Sequence, residues 1–278
     1  MPTANINGTE IYFEEHGSGT PLLCIMGFAT DSIGWAMQTP AFAEKHRTIV
    51  FDNRGVGRSA KPAGPYAIPA MADETAALLD HLGIPSANVL GLSMGGMIAQ
   101  ELALRHPQKV DRLVLAATFP RPDDHQRQVQ QNIMDSFGAT MSDSGEISVD
   151  MSTVNPIMFF QQLLPLVFTP EFINTQLMQL MQMFSGALQH GFDLNAIMAQ
   201  AAAIRGHDTV ERLGQITAPT LVLHGDSDRL IPVENGEVLA KHIPGATLTK
   251  VANGSHGFNF EQPQTFNDAV LDFVGGAA

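Results

Sequence analysis

The segment Val89-Leu90-Gly91-Leu92-Ser93-Met94-Gly95-Gly96 sets a serine between two glycines, where a short apolar run gives way to helical spacing. G-x-S-x-G says little in isolation, because glycine and serine are common turn residues. Between a strand and a helix it says more: Ser93 would sit on a strained turn, with Gly91 and Gly95 leaving room for the backbone to crowd. The helix N-terminus behind Ser93 would favour negative charge developing on a substrate. The competing interpretation is a plain turn in which Ser93 caps the helix. A serine hydroxyl is a poor nucleophile near neutral pH and needs an adjacent base, itself oriented by an acid. Two later loops carry these types. His224-Gly225-Asp226-Ser227-Asp228 follows the apolar run Leu221–Leu223, and Asn253-Gly254-Ser255-His256-Gly257 follows Val251. The acid is open between Asp226 and Asp228, and His256 is the candidate base. Such a set would perform acyl transfer.

These residues need a scaffold that delivers each at the end of a strand. Ile11–Glu14, Leu22–Met26 and Thr48–Phe51 are short runs of the kind found in buried strands, and residues 71–82 keep helical periodicity up to Gly83. Asn88–Leu90 reads as a strand, 94–106 as a helix stopped by Pro107, and Asp111–Ala117 as a strand. Such alternation implies a parallel sheet with helices on both faces. From Phe119 to about Ile204 it disappears. Between Met151 and Ile204 only Glu171 and Asp193 carry charge, while 6 of the 14 Met and 6 of the 16 Phe fall there. That segment is expected to be helical, with Leu177, Leu180, Met181, Phe184 and Leu188 on one face of a helix over Gln176–His190. It packs into a core, covers an apolar cleft, or does both. Alternation resumes with Leu221–Leu223, a helix over Glu234–His242, a strand over Thr247–Val251 and a closing helix over Gln262–Val274. The expected division is an α/β core domain of residues 1–118 and 206–278, with 119–205 as a helical cap.

Composition excludes several function classes. The 278 residues carry a formal net charge of −13, and 15% are charged against about 25% in ordinary globular chains. An excess of carboxylates repels phosphate, so no nucleic-acid partner is expected. No stretch approaches the ~20 apolar residues of a bilayer span. The first residues show no basic region followed by an apolar run, which makes a cytoplasmic location the expectation. Cys24, the single cysteine, allows no intramolecular disulfide and reads as a core residue. No His/Asp/Glu cluster has metal-ligand spacing, so neither metal nor cofactor is expected. Gly55-Val56-Gly57 lacks the rest of either phosphate motif and reads as a structural turn.

The order Ser93, Asp, His256, each in a loop after a strand, together with Asp52-Asn53-Arg54-Gly55-Val56-Gly57-Arg58-Ser59 and Gly27-Phe28 followed by Trp35, resembles the α/β-hydrolase superfamily over residues from about 5 to 275. The likeness is to its esterase, enol-lactonase and cofactor-free haloperoxidase branch. It implies an α/β-hydrolase fold with a mostly parallel central sheet and a helical cap insertion. The family pattern H-G-x-x-D makes its last Asp catalytic, which selects Asp228 and leaves Asp226 to the turn. It assigns His224 a structural place, and the backbone N–H groups of Phe28 and Met94 to an oxyanion hole. Met26 stands where the family usually has His before that glycine.

What the resemblance implies is a serine hydrolase acting through an acyl-enzyme on small to medium hydrophobic esters, with water as the second substrate. Trp35, Met181 and Phe184 are the substrate-binding candidates, Trp35 reading mainly as a packing residue behind the Gly27-Phe28 loop. Alternatives are an enol-lactonase, a C–C bond hydrolase, a perhydrolase or haloperoxidase-like activity, or a hydrolase-like ligand receptor. A small anionic lactone would want a basic residue in the pocket. Arg121, Arg127 and Arg205, at the ends of the insertion, are the candidates, and nothing in the sequence brings them inside. An exposed Met- and Phe-rich cap could pair two copies into a homo-oligomer.

Overall fold

The computed structural model describes residues 2–136, 140–141, 147–148 and 156–276. Its first two strands, β1 (Thr3–Ile6) and β2 (Thr9–His16), form an antiparallel hairpin around Asn7 and Gly8, both at positive φ. Asn-Gly is the residue pair such a two-residue turn demands, so the sequence did carry a signal for this departure from a purely parallel sheet. Then follow β3 (Thr20–Ile25), α1 (Thr39–Ala43), β4 (His46–Phe51), α2 (Ile68–His81), β5 (Ala87–Leu92), α3 (Met94–Arg105) and β6 (Val110–Ala116). The insertion comes next, with α4 (Asp124–Ser136), a two-stranded pair β7 (Thr140–Met141) and β8 (Ile147–Ser148), α5 (Pro156–Val167), α6 (Pro170–Gln189) and α7 (Leu194–Arg205). The chain closes with β9 (Thr220–Gly225), α8 (Glu234–His242), β10 (Thr247–Val251), α9 (Phe258–Glu261) and α10 (Pro263–Gly275).

Eight strands form one sheet in the order β1-β2-β4-β3-β5-β6-β9-β10, parallel from β4 through β10. The chain leaves β3 for β4 on one side and returns to β5 on the other, so the carboxyl ends of β3 and β5 flank a topological switch point. Crevices in open α/β sheets form there, because the loops from the two strands diverge. Period-two alternation splits each strand between two cores. Leu23, Ile25, Val89, Leu113 and Leu115 belong to the core under α2 and α3, while Leu22, Cys24, Leu90, Val114 and Leu223 belong to the opposite one with Trp35, Phe42, Phe258 and Phe266. Cys24 is fully buried and burial pushes its thiol far up, which leaves it inert.

The helices of the insertion differ from the expected pattern in detail. Gln176 has non-helical backbone angles, so the expected start of a helix is a kink within α6. Among the described side chains of its apolar set, Leu180 is buried with Leu164 and Phe168, whereas Leu177 and Met181 are 47% and 40% exposed. Helical spacing identifies an apolar face but not whether a partner covers it. Helix α7 sits deeper. Ala196, Ala203 and Ile204 join the core under α2 and α3.

Helix α3 lies against β3 closely enough that glycine is obligatory at one point. A Cβ on Gly95 would stand 2.0 Å from the Ile25 carbonyl oxygen, a backbone atom that cannot turn aside. We expect Gly95→Ala to lower the thermal midpoint by roughly 10 °C, a few kcal/mol for a chain of this size. Gly214, whose added Cβ meets nothing within 4 Å, supplies the control. Equal midpoints for Gly95→Ala and Gly214→Ala in a thermal melt would contradict the packing argument.

Candidate active site

Ser93 joins β5 to α3 with φ 56° and ψ −119°, a conformation that L residues adopt only under constraint. The constraint is visible on every side. The Ser93 N–H donates to the Ala116 carbonyl at 2.9 Å, and its own carbonyl accepts from Gly96 N–H at 2.9 Å and Thr118 Oγ1 at 2.8 Å. A Cβ on Gly91 would fall 2.3 Å from the Gly95 carbonyl oxygen. Only glycine at 91 and 95 lets strand and helix meet at so sharp an angle. Met94 opens α3, and its N–H is among those left without an acceptor inside a helix.

His256 and Asp228 arrive from the loops after β10 and β9. His256 Nδ1 lies 2.8 Å from Asp228 Oδ2, with both residues about 6% exposed. The other carboxylate oxygen of Asp228 accepts from the backbone N–H groups of Leu230 and Ile231 at 2.9 and 2.8 Å. Burial alone would raise the Asp228 carboxyl, but the charge of His256, its hydrogen bond and the nearby His224 ring outweigh it and hold it down at about 2. A histidine that donates Nδ1–H to this carboxylate presents the lone pair of Nε2, the atom that can accept a proton from a hydroxyl. Ser93 and His256 share the wall of one apolar cavity of about 190 Å³. Asp226 is exposed and, among the described residues, accepts from the Ser227 hydroxyl at 3.0 Å alone. His224 is fully buried, with Nε2 on the Ile231 carbonyl at 2.8 Å.

The loop after β3 brings Gly27 and Phe28 to the same cavity. Four groups far apart in sequence hold this loop. Asn53 Nδ2 donates to the Met26 carbonyl at 2.9 Å, Asp52 Oδ1 accepts from Ser32 N–H at 2.8 Å, and His190 Nδ1 meets Asp31 Oδ2 at 2.7 Å. Gln200, fully buried on α7, accepts from Ala29 N–H at 3.0 Å and donates to the Arg54 carbonyl at 2.7 Å. The turn beginning at Asp52 is therefore the brace of the loop carrying Phe28. Gln200 was not singled out in the sequence, and no local pattern marks it, since its partners lie 171 and 146 positions away.

Two of the substrate-binding candidates do not reach a cavity wall. Trp35 is fully buried and packs on Phe266 with ring centres 6.3 Å apart, in the core behind the loop. Met181 is exposed on α6 and lines neither cavity at Ser93. The side chain of Phe184 lies outside the described residues. The walls come instead from Phe28, Leu163, Leu164, Phe168 and Phe192. A second cavity of about 90 Å³ also reaches Ser93, between Phe28, Met97, Phe119 and Met198, and Arg205 is among its lining residues. No pattern in the sequence turns Arg205 inward; α7 does so by packing into the core. Among the described residues no three acidic, histidine or cysteine side chains cluster to hold a metal.

The carboxyl of Asp228 supplies a pH test. Its value in the folded protein lies below that of a free aspartate, so it adds stability above about pH 4 that is lost as pH falls through about 2. The stability difference between wild type and Asp228→Asn, measured by urea unfolding, should shrink by on the order of 2 kcal/mol from pH 5 to pH 2. A constant difference across that window would mean that Asp228 gains nothing from its ionised partners.

Similarity to known proteins agrees with this geometry. The profile described as the alpha/beta hydrolase fold matches residues 20–263. The 3-oxoadipate enol-lactonase 2 of Acinetobacter baylyi is 33% identical over 85% of this chain and 81% of its own. RutD of Azorhizobium caulinodans, named for carbamate hydrolysis, is 30% identical over 99% of this chain and 98% of its own. Among solved structures, the enol-lactonase from Burkholderia xenovorans superposes with a TM-score of 0.87 at 27% identity, covering 99% of this chain and 100% of that one. With its fold, its strand order and its profile match over most of its length, the chain belongs to the alpha/beta hydrolase family.

Proposed function

We propose that this hydrolase cleaves carboxylic esters through an acyl-enzyme on Ser93. The observation that carries the reading is the buried His256–Asp228 hydrogen bond on the same apolar cavity as a serine held at a strained strand-to-helix turn. Ser93 Oγ attacks the ester carbonyl, forming a C–O bond as its proton passes to His256 Nε2. The N–H groups of Phe28 and Met94 receive the negative charge on the former carbonyl oxygen, a contribution of about 3 kcal/mol per donor. The bond to the leaving oxygen then breaks and His256 gives it the proton. Water repeats the sequence, losing a proton to His256 and releasing the acid and free Ser93.

The apolar walls support a substrate with hydrophobic groups flanking its ester. Leu163, Leu164, Phe168, Phe192 and Met198 all come from the segment 119–205, which we assign as the cap over the site. A lactone is a cyclic ester and a carbamate is open to the same attack, so the names of the relatives fall within this chemistry.

A panel of para-nitrophenyl esters from acetate to hexanoate, with lactones and carbamates beside them, tests the class. Sustained turnover that is abolished in Ser93→Ala, with a phosphonate adduct at Ser93 by mass spectrometry, is the expected result. Loss of activity to the phosphonate without an adduct on Ser93 would refute the nucleophile. Asp228→Asn should lower kcat by about 10⁴, because the wrong histidine tautomer is then held. Asp226→Asn should stay within a few-fold of wild type, and the reverse ranking would reassign the acid.

A further inference from the structure

Ala29, the residue after Phe28, has φ 56°. Asn7 and Asn253 also have positive φ, but asparagine tolerates that region because its short polar side chain can bond locally. Alanine has no such compensation, and a backbone held against its preference must be held by its surroundings. Apolar contact does part of this, since Phe28 and Ala29 pack against Leu194, Ile197 and Met198 of α7. Packing fixes where a segment lies but not how a peptide plane is rotated. Directional hydrogen bonds do that.

The Phe28–Ala29 peptide is held at both ends. Its carbonyl accepts from Thr30 Oγ1 at 3.1 Å, and its N–H donates to Gln200 Oε1 at 3.0 Å. Gln200 is fully buried and donates from Nε2 to the Arg54 carbonyl at 2.7 Å. A pure donor on one side and a pure acceptor on the other allow its amide a single orientation. On the other side of Phe28, Asn53 holds the Met26 carbonyl. Between these two fixed planes lies the Gly27–Phe28 peptide, whose N–H bonds to no acceptor among the described residues. That N–H is the first of the two proposed oxyanion donors.

We propose that Gln200 is a positioning residue for the reaction, acting through Ala29 on the Phe28 N–H. The proposal rests on the ester-hydrolase reading above. By fixing the Phe28–Ala29 peptide, Gln200 keeps Ala29 in its left-handed conformation and the preceding N–H directed at the oxygen that becomes negative. Without Gln200, Ala29 relaxes toward negative φ, the peptide turns, and the Phe28 backbone moves with it. Apolar walls hold the bound ester, so the loss falls on the tetrahedral species. One such species forms when the acyl-enzyme is made and another when it is hydrolysed, so both steps slow together. Asn53 and Thr30 belong to the α/β core, whereas Gln200 comes from the insertion, which thereby contributes to turnover and not only to binding.

Gln200→Met keeps the side-chain volume and removes both hydrogen bonds, while Gln200→Glu keeps the volume and an acceptor for the Ala29 N–H. With para-nitrophenyl butyrate, Gln200→Met should lower the acylation burst rate and kcat together by about tenfold, with KM within about twofold of wild type. Gln200→Glu should retain more of the wild-type kcat than Gln200→Met. A residue that only filled the core would rank the two the other way, because a thioether suits a buried site better than a carboxylate. Glycine adopts φ 56° without strain, so adding Ala29→Gly to Gln200→Met should recover kcat by about threefold. If Gln200→Met does not fold, Gln200→Asn, which withdraws the amide by one methylene, takes its place with an expected loss of about fivefold in kcat. An unchanged kcat, a loss confined to KM, Gln200→Glu less active than Gln200→Met, or no recovery with Ala29→Gly overturns the role of Gln200 while the hydrolase reading stands. A wild type that neither turns over an ester nor takes a phosphonate on Ser93 refutes the hydrolase reading itself, and the role of Gln200 falls with it.

Discussion

The approach of α3 to the ends of β3 and β5 is the constraint on which the site depends. With Gly95 against the Ile25 carbonyl and Gly91 against the Gly95 carbonyl, the chain has no room for a relaxed connection between β5 and its helix. The turn is left with one residue at positive φ, and that residue is Ser93. Its strain is offset by the hydrogen bonds to Ala116, Gly96 and Thr118, and by a helix buried through Met94, Met97, Ile98 and Leu102. Because β5 lies at the middle of the sheet beside the switch point, the same packing puts Ser93 at the mouth of the crevice that the flanking loops enclose.

Everything else at the site is brought to that fixed point by strands whose register the two cores determine. β9 pairs with β6 and β10 with β9, and their loops carry Asp228 and His256 toward the carboxyl edge. The Asp228 carboxylate is oriented before any substrate binds, since one oxygen is taken by two backbone N–H groups and the other by His256. The Gly27–Asp31 loop is braced from the β4 turn, from α7 and from His190. Preorganisation of this kind lets a polar constellation act in an apolar cavity without reorganising during reaction.

How much of this was legible in the sequence follows from the range of the interactions involved. Ser93 is defined by a turn of five residues, and the His224–Asp228 and Asn253–Gly257 loops by turns equally short, so local chemistry identified their residue types and positions. The strands over Leu22–Ile25, Val89–Leu92 and Leu221–Leu223 were legible because burial on both faces leaves uninterrupted apolar runs. The β1–β2 hairpin was written in Asn7-Gly8 and went unread. Gln200 could not be read, and Arg205, a candidate from its charge, could not be turned inward, because both lie in Leu194–Arg205, a helix whose alanines and aliphatics suit any buried face. What sets them at the site is their position beside Ala29, Arg54 and the smaller cavity, none of which leaves a periodic trace. Met181 fails for the converse reason, since composition announces a large apolar side chain but not whether core, cavity or solvent lies beyond it, whereas Trp35 packs behind the Gly27-Phe28 loop as its main reading expected.

Helix α7 changes how the insertion should be understood. Its Met198 and Arg205 face the smaller cavity, its Gln200 clamps the loop carrying Phe28, and its Ala196, Ala203 and Ile204 are part of the main core. A cap that only covered a finished site could vary without touching the chemistry. Here the last helix of the segment is both a wall of the smaller cavity and a support of one proposed oxyanion donor. The wall of the smaller cavity and the placement of Phe28 are therefore mechanically linked through one helix. A displacement of α7 that reshaped this cavity would also shift the Ala29–Gln200 hydrogen bond, so the form of the cavity and the position of the Phe28 loop are not independently adjustable.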